Sequence, residues 1–185
     1  MKKLIYILFC LIIWTCLFGT GCQGNTSSSE NPPLTPDKNE QEMIKQEVVL
    51  YFGDDQAMYL IPEKRTISHK KDATTADIAA LILKEIVAGP QSETLRRTIP
   101  PEARLLNVKV EGKIAYADFT KEIITMHWGG SAGETMTITS IVNSLTELPE
   151  IDKVQILIEG EAQDSLVGHW YIREPIERNE SIIQP

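Results

Sequence analysis

All three cysteines of this 185-residue chain lie within its first 22 positions, at Cys10, Cys16 and Cys22. A chain that begins at Cys22 has no second cysteine, so it can form neither an intrachain disulfide nor a thiolate metal site. An ordered region of about 130 residues can bury enough apolar surface to be stable without cross-links. The cysteine distribution therefore predicts a domain that depends on its hydrophobic core alone.

The first 21 residues have the pattern of a secretory signal peptide. Lys2 and Lys3 precede an apolar run over residues 4–18, and small residues follow at positions 19–21. A basic start, an apolar stretch of about 15 residues and a small-residue cleavage zone are typical of such signals. The stretch is shorter than the roughly 18 to 20 apolar residues of a spanning helix. We expect residues 1–21 to direct export, with an uncleaved membrane anchor as the alternative.

Cys22 stands where this apolar signal ends and the chain becomes polar. The segment 17–22 (Leu-Phe-Gly-Thr-Gly-Cys) resembles a bacterial lipobox, with Gly19 where leucine is usual. The resemblance implies a diacylglyceryl group on the Cys22 thiol, cleavage before this residue and attachment to the outer face of the cytoplasmic membrane. Two or three acyl chains give stable anchoring, whereas one chain is marginal.

Residues 22–46 are predicted to be a disordered tether between the anchor and the folded domain. The stretch contains three consecutive serines and three prolines, and it offers little apolar surface to bury. The whole chain has 18 basic and 26 acidic residues, and removal of Lys2 and Lys3 leaves 16 basic residues and a net charge of −10. This acidic balance argues against nucleic-acid binding, which needs a basic patch.

Residues 47–175 are predicted to form one α+β domain, followed by a loose tail over residues 176–185. Runs of β-branched, aromatic or alternating residues between turn signals predict the strands. These strands are residues 48–52, 58–61 (ended by Pro62), 105–110, 114–119 and 154–158, with an edge strand at 169–172. The order predicts a split βαβ arrangement, βαββαβ, with an added N-terminal β-hairpin. Two helices would cover one face of a mostly antiparallel sheet.

Two capping boxes predict where the two helices begin. Thr74 and Asp77 are placed to form the first, and Gly89-Pro90 then ends that helix. Ser131 and Glu134 match the Ser-x-x-Glu pattern of the second. In that arrangement the Ser131 hydroxyl caps the helix, and the Glu134 carboxylate bonds back to the backbone at its start.

Several segments in this order closely resemble the GerMN domain family. They are residues 49–52 (VLYF), 88–90 (AGP), 99–101 (IPP), 114–119 (IAYADF), 129–134 (GGSAGE), 146–149 (TELP) and 152–160 (DKVQILIEG). The resemblance implies an extracytoplasmic, non-enzymatic domain of the ring-building type that uses no cofactor. It also implies an assembly or interaction role linked to sporulation or spore germination. Envelope or sporulation-channel proteins, and further copies of the chain, are then the expected partners.

A serine hydrolase is the main enzymatic alternative. Residues 129–133 (Gly-Gly-Ser-Ala-Gly) fit the G-x-S-x-G nucleophile elbow, with Ser131 as nucleophile and His169 as base. Asp152 or Asp164 would orient the histidine. The context opposes this hypothesis, because about ten residues separate the predicted strand from the glycines, whereas an elbow needs a strand that runs directly into the turn. The same glycines before a helix could instead hold an anion.

The spacing of the histidines argues against a metal site. His69, His127 and His169 are far apart in sequence and form no ligand motif, and Asp54-Asp55 is too short for a calcium loop. Tryptophan follows two of these histidines, at Trp128 and Trp170. We favour half-buried aromatics that close the edge of the core, with an interaction surface at Trp128, Gly129, Gly130, His169 and Trp170 as the alternative. A small-ligand site, for example for cell-wall fragments, is the remaining alternative.

Overall fold

The computed structural model describes residues 42–184. The predicted signal, residues 1–21, and the predicted lipidation site, Cys22, lie outside this part of the chain. Within residues 42–184, no helix combines the length and apolar character needed to cross a membrane. The elements are β1 (Met43–Gly53), β2 (Leu60–Lys70), α1 (Thr75–Ala88), β3 (Leu105–Glu111), β4 (Ile114–Phe119), α2 (Glu122–Thr125), α3 (Ser131–Leu145), β5 (Lys153–Ile158), β6 (Ile176–Glu177) and a 3₁₀ turn at Glu180–Ile182.

The strands form two sheets, which confirms the α+β class with an N-terminal β-hairpin. β1 and β2 form a two-stranded sheet, and the second sheet has the order β3-β4-β5-β6. In this second sheet β4 and β5 are parallel, and the other neighbours are antiparallel. Helices α1 and α3 each contact both the hairpin and the four-stranded sheet. The core therefore lies around these two helices.

The first strand does not join the larger sheet, in contrast to a single split βαβ sheet. Side chains of α3 occupy its outer edge instead. The amide N–H of Tyr51 donates to Oγ of Ser144 at 3.0 Å, and Oγ of Ser140 donates to the Tyr51 carbonyl at 2.6 Å. Because two serine hydroxyls bond the backbone of β1, this part of the strand has no free edge for another strand.

The hairpin is longer than predicted at both ends. β1 begins at Met43, so the predicted tether over residues 22–46 overlaps the strand by four residues. β2 continues past Pro62 to Lys70. Pro62 lies opposite Tyr51, whose N–H points to α3 and not to β2. Such a pair exchanges no ladder hydrogen bonds, so the missing N–H of proline costs nothing at this position.

Helix α1 has both of its predicted ends. Thr74 and Asp77 form a reciprocal capping box, and Gly89 ends the helix with a φ of 93°. The guanidinium of Arg65 then fixes this end of the helix to the hairpin. It donates to the Gly89 carbonyl at 2.6 Å and pairs with Glu63 and Glu85, although its own side chain is only 4% exposed.

The C-terminal residues are packed against the domain, so the predicted loose tail at 176–185 is wrong. β6 pairs with β5, and the amide of Gln184 donates to the Leu60 carbonyl at 2.9 Å. Arg178 donates to the Asn143 carbonyl at 2.7 Å and to the Tyr51 hydroxyl at 2.9 Å. The domain thus extends to residue 184, because its last strand and Arg178 complete contacts of α3 and β1.

Candidate functional site

The first turn of α3 holds two loop segments in place. One segment, residues 126–130, leads directly into the helix. The other, residues 164–171, comes after β5 and returns to the same turn. The predicted surface residues are divided between these two segments, which lie far apart in sequence. The residues that fix them are Gly133, Glu134 and Thr137.

Glu134 fixes the second segment. Its carboxylate is fully buried, and it accepts hydrogen bonds from four backbone N–H groups. The donors are Leu166 at 2.9 Å, Val167 at 3.0 Å, His169 at 2.8 Å and Trp170 at 3.2 Å. Hydrogen bonds to a charged acceptor are about twice as strong as neutral ones. This carboxylate therefore determines the path of the loop.

The predicted capping box at Ser131 and Glu134 is wrong. Gly130 is the N-cap residue, because its carbonyl accepts the Glu134 amide at 3.1 Å, and no side chain caps the helix. Ser131 therefore lies inside the first turn, where its hydroxyl makes no cap hydrogen bond.

The Glu134 carboxylate also explains why the predicted edge strand at 169–172 does not form. The N–H groups of His169 and Trp170 are bonded to Glu134 and not to a neighbouring strand.

Trp128 packs directly over Gly133. A Cβ atom at Gly133 would lie 2.8 Å from Nε1 of Trp128 and 2.9 Å from its Cδ1. Real Cβ atoms do not approach heavy atoms so closely, so the indole ring requires glycine at this position. The ring nevertheless remains 51% exposed. Trp128 is thus supported by the helix on one face and open to solvent elsewhere.

His127 connects the first segment to the helix. The Gly129 amide donates to its Nδ1 at 2.9 Å, and its Nε2 lies 3.0 Å from Oγ1 of Thr137. Because Nδ1 accepts a hydrogen bond, the neutral ring carries its proton on Nε2, which then donates to Thr137. Burial lowers the pKa of His127, and the Glu134 carboxylate opposes this change only in part. The neutral ring is therefore the form that fits the site.

The predicted surface residues differ in exposure. Trp128 and His169 are exposed, whereas Trp170 is half-buried and packs against the core. Gly129 and Gly130 have φ values of 78° and 79° and adjoin open space, so glycine serves the backbone conformation there. We use "first-turn surface" for the exposed side chains of the two segments, namely Met126, Trp128, His169 and Tyr171.

Sequence reasoning missed three residues of this region. Tyr171 is 61% exposed and Met126 is 49% exposed, and neither formed part of a motif. The structural role of Gly133 was also missed, although three glycines within five residues could have indicated a close approach to the backbone.

A shallow cleft of 240 Å³ adjoins the first-turn surface and is lined by Asp164, Ser165, Gly168, His169, Trp170 and Tyr171.

The hydrolase hypothesis finds no support in the described geometry. Within residues 42–184, no hydrogen bond joins Ser131 to His169, or His169 to either aspartate. Asp152 is paired with Lys113 and Asp164 with Arg173. The Arg173 guanidinium, which bonds Asp164, lowers the pKa of that carboxyl. In addition, α2 lies between β4 and the glycines, so no strand leads directly into Ser131.

The described histidines also lie apart from one another. No group of three or more histidine, cysteine, aspartate or glutamate side chains is close enough within residues 42–184 to hold a metal ion. His69 lies on β2, His127 precedes α3, and His169 belongs to the loop held by Glu134. Asp54 accepts the amides of Met58 and Tyr59 in the turn between β1 and β2.

A family profile described as "Germane: Sporulation and spore germination" matches residues 49–164. The chain belongs to the Germane family. The match includes residues 49–53 of β1, the indole of Trp128 and the first-turn residues Gly133 and Glu134. It confirms the GerMN-like resemblance that the ordered sequence segments indicated.

Solved structures of similar fold agree with this assignment. The first GerMN domain of the sporulation protein GerM from Bacillus subtilis has a TM-score of 0.60 at 22% identity, covering 72% of this chain and 98% of that one. The tandem GerMN domains of the same protein have a TM-score of 0.57 at 17% identity, covering 76% of this chain and 48% of that one. This chain therefore spans about half of the tandem structure.

A candidate lipoprotein from Clostridium perfringens has a TM-score of 0.53 at 24% identity. The alignment covers 72% of this chain and 87% of that one. At such identities the likeness establishes the fold alone. A search of curated protein sequences found no significant match.

Proposed function

We propose that the chain is a lipid-anchored, extracytoplasmic module that docks other envelope proteins during sporulation or spore germination and performs no catalysis. Membership of the Germane family supports the cellular process. The lipobox-like segment that ends at Cys22 supports attachment to the outer face of the cytoplasmic membrane. The structural observation that best supports the docking role is the exposed ring of Trp128, which packs over Gly133.

The first-turn surface suits protein docking for two physical reasons. Tryptophan and tyrosine are enriched among the residues that dominate binding energy at protein interfaces. Their supports are also rigid, because Trp128 rests on a helix and the segment of Tyr171 is fixed by four hydrogen bonds to Glu134. A surface that is already ordered loses little conformational entropy on binding.

Photo-crosslinking in sporulating cells tests the docking role. A photoreactive amino acid is placed at position 171 of the full chain, or at position 55 in the turn between β1 and β2 as a control. We expect position 171 to give discrete adducts with envelope proteins, and Trp128→Ala to remove them. Tyr59→Ala, which changes another exposed aromatic residue, should leave them intact. Equal adducts from both positions, or adducts that persist in Trp128→Ala, would contradict the proposal.

Fatty-acid labelling tests the anchor. Cells that express the full chain receive an alkynyl fatty acid, and the protein is then isolated and its mass measured. Wild type and Cys16→Ser should incorporate the label and lose residues 1–21. Cys22→Ser should remain unlabelled and uncleaved, because the acceptor thiol is absent. Equal labelling of Cys22→Ser would show that the anchor lies elsewhere.

The cleft beside Trp170 and Tyr171 supports a second candidate function, the binding of a small ligand such as a cell-wall fragment. Aromatic side chains together with a few polar groups are common features of ligand sites. Thermal unfolding with and without soluble muropeptides tests this function. A rise in Tm that Tyr171→Ala abolishes would favour it. An unchanged Tm up to millimolar muropeptide would exclude these ligands.

A further inference from the structure

The outer edge of β3 has no backbone partner among residues 42–184. β3 pairs with β4 on one side, and no other described segment bonds to residues 105–111 on the other side. The opposite edge of the sheet is closed, because β6 pairs with Lys153 and Val154, and Glu161 forms a bridge with Ile158. β3 is thus an open edge strand, which is a template for pairing with another chain.

The β3–β4 hairpin determines which groups face outward. Glu111 lies opposite Ile114, so the turn contains two residues, Gly112 and Lys113. The pair that closes such a turn exchanges hydrogen bonds, and the pattern alternates along an antiparallel ladder. Lys109 and Glu111 therefore bond to β4 through their backbones. The N–H and C=O groups of Val108 and Val110 point away from the sheet.

The exposed face of this edge carries two opposite charges. The side chains of Lys109 and Glu111 are 63% and 53% exposed, and they form an ion pair along the strand. The other long strand, β2, differs in this respect. It contains Pro62 and the exposed lysines Lys64 and Lys70, features that protect an edge against pairing. The opposite charges of β3 are open to a partner, whereas the corresponding pair of β2, Glu63 and Arg65, is only 13% and 4% exposed.

We propose that β3 pairs antiparallel with β3 of a second copy of this chain, with Val110 on the two-fold axis. In this register Lys109 of each copy lies opposite Glu111 of the other, which gives two cross-strand ion pairs. The two outward-facing Val110 residues exchange N–H···O=C hydrogen bonds. The interface is isologous, as in most symmetric dimers. This inference does not depend on the proposed docking function.

Charge and backbone geometry select this register over its neighbours. A two-fold axis at Lys109 would place two lysines directly opposite each other, and like charges in such pairs are destabilising. An axis at Val108 would place Lys109 opposite the uncharged Asn107. Glu111 would then have no cation of the partner opposite it, and this missing ion pair is what distinguishes an axis at Val108 from one at Val110. The β-bulge between Leu105 and Asn107 prevents regular pairing further toward the start of the strand.

Cysteine pairs test the register in the full chain. Residues 109 and 111 of opposite copies would form a pair without ladder hydrogen bonds, with Cα atoms about 4.5 Å apart, which suits a disulfide. Two residues 109 would be about 7–8 Å apart as diagonal neighbours. We expect membranes that contain both Lys109→Cys and Glu111→Cys chains to give a disulfide dimer on mild oxidation. Either variant alone, and the chain without an added cysteine, should not give it.

A dimer from Lys109→Cys alone, equal in amount to that of the mixture, would overturn the proposed register. No dimer in the mixture would overturn the interface itself.

Charge reversal provides a second measurement that leaves the fold unchanged, because both side chains are exposed. Lys109→Glu and Glu111→Lys chains should each lose self-association in analytical ultracentrifugation in detergent, and an equimolar mixture should regain it. Unchanged association of Lys109→Glu would contradict the proposal.

Discussion

The carboxylate of Glu134 lies 2.8 Å from the backbone amide of His169, although 35 residues separate the two in sequence. This hydrogen bond and its three neighbours fix the segment that presents Tyr171. Glu134 has no solvent contact, and its partners are all backbone groups. The position of the exposed side chains therefore depends on a residue that no binding partner can touch.

Replacement of Glu134 by glutamine should destabilise the domain and release the loop. An amide keeps one acceptor oxygen, but its NH₂ group would face backbone donors that also need an acceptor. Hydrogen bonds to charged groups contribute about 1.5–3 kcal/mol each, so we expect a loss of about 3 kcal/mol in the free energy of unfolding. Urea denaturation measures it. Glu150→Gln, an exposed control, should stay within about 0.5 kcal/mol of wild type.

Gly133→Ala should displace Trp128. In an open helix this change would stabilise by up to about 1 kcal/mol, but here the methyl group would overlap the indole. We therefore expect lower stability and altered tryptophan fluorescence. The double variant Gly133→Ala with Trp128→Ala should be more stable than Gly133→Ala alone, because the overlap is absent. Additive effects of the two changes would show that the residues do not interact.

Ser131→Ala distinguishes the observed helix start from the predicted capping box. Because Gly130 is the N-cap and the Ser131 hydroxyl makes no cap hydrogen bond, the stability should change by less than about 0.5 kcal/mol. A true cap would cost about 1 kcal/mol. Chemical denaturation separates the two values. Sporulation should also proceed normally in cells that carry this variant. A loss of sporulation at unchanged protein level would instead indicate a functional role for the Ser131 hydroxyl.

The stability of the domain should fall on mild acidification because of His127. Its pKa is lowered in the folded protein by burial, whereas in the unfolded chain it is near 6.5. The unfolded chain thus takes up the proton first. The contribution is complete above about pH 6.5 and is lost progressively as the pH falls from there toward the folded pKa.

Urea denaturation at pH 7.5 and 5.5 measures this effect. His127→Gln should be less stable than wild type at pH 7.5, because Gly129 and Thr137 lose their partner, and its stability should fall less between the two pH values. An equal decrease in His127→Gln would assign the pH dependence to other groups.

Arg178→Ala should destabilise the domain through the C-terminal segment. The Arg178 side chain is 23% exposed, bonds the Asn143 carbonyl and the Tyr51 hydroxyl, and pairs with Glu147. We expect a loss of about 2 kcal/mol in the free energy of unfolding. Lys121→Ala provides an exposed control. A loss below about 0.5 kcal/mol would show that the packed tail contributes little.

Local features of the fold could be predicted from sequence, and long-range ones could not. The capping box of Thr74 and the hairpin of β3 and β4 depend on residues a few positions apart, and both were predicted. Glu134 matches the local sequence pattern of a capping box, yet the hydrogen-bond donors to its carboxylate come from a loop more than thirty residues away. The bond between Arg178 and Tyr51 spans 127 residues, and no local pattern indicates it.

The candidate surface follows the same division. Trp128 and His169 were named as candidate surface residues because each belongs to a His-Trp pair, a feature that is visible in the sequence alone. Tyr171 was missed, since an isolated tyrosine carries no signal until the path of its loop is known. The separation of β1 from the larger sheet was also missed, because it depends on two serines of α3 that resemble ordinary helix positions.

The support of the 166–170 segment has an evolutionary consequence. Glu134 binds only main-chain amides, which every residue except proline possesses. The exposed side chains along this segment can therefore be exchanged without loss of its anchoring, much as variable loops diversify on a constant framework. Related proteins could acquire different specificities at this place while a single acidic residue on α3 stays the same.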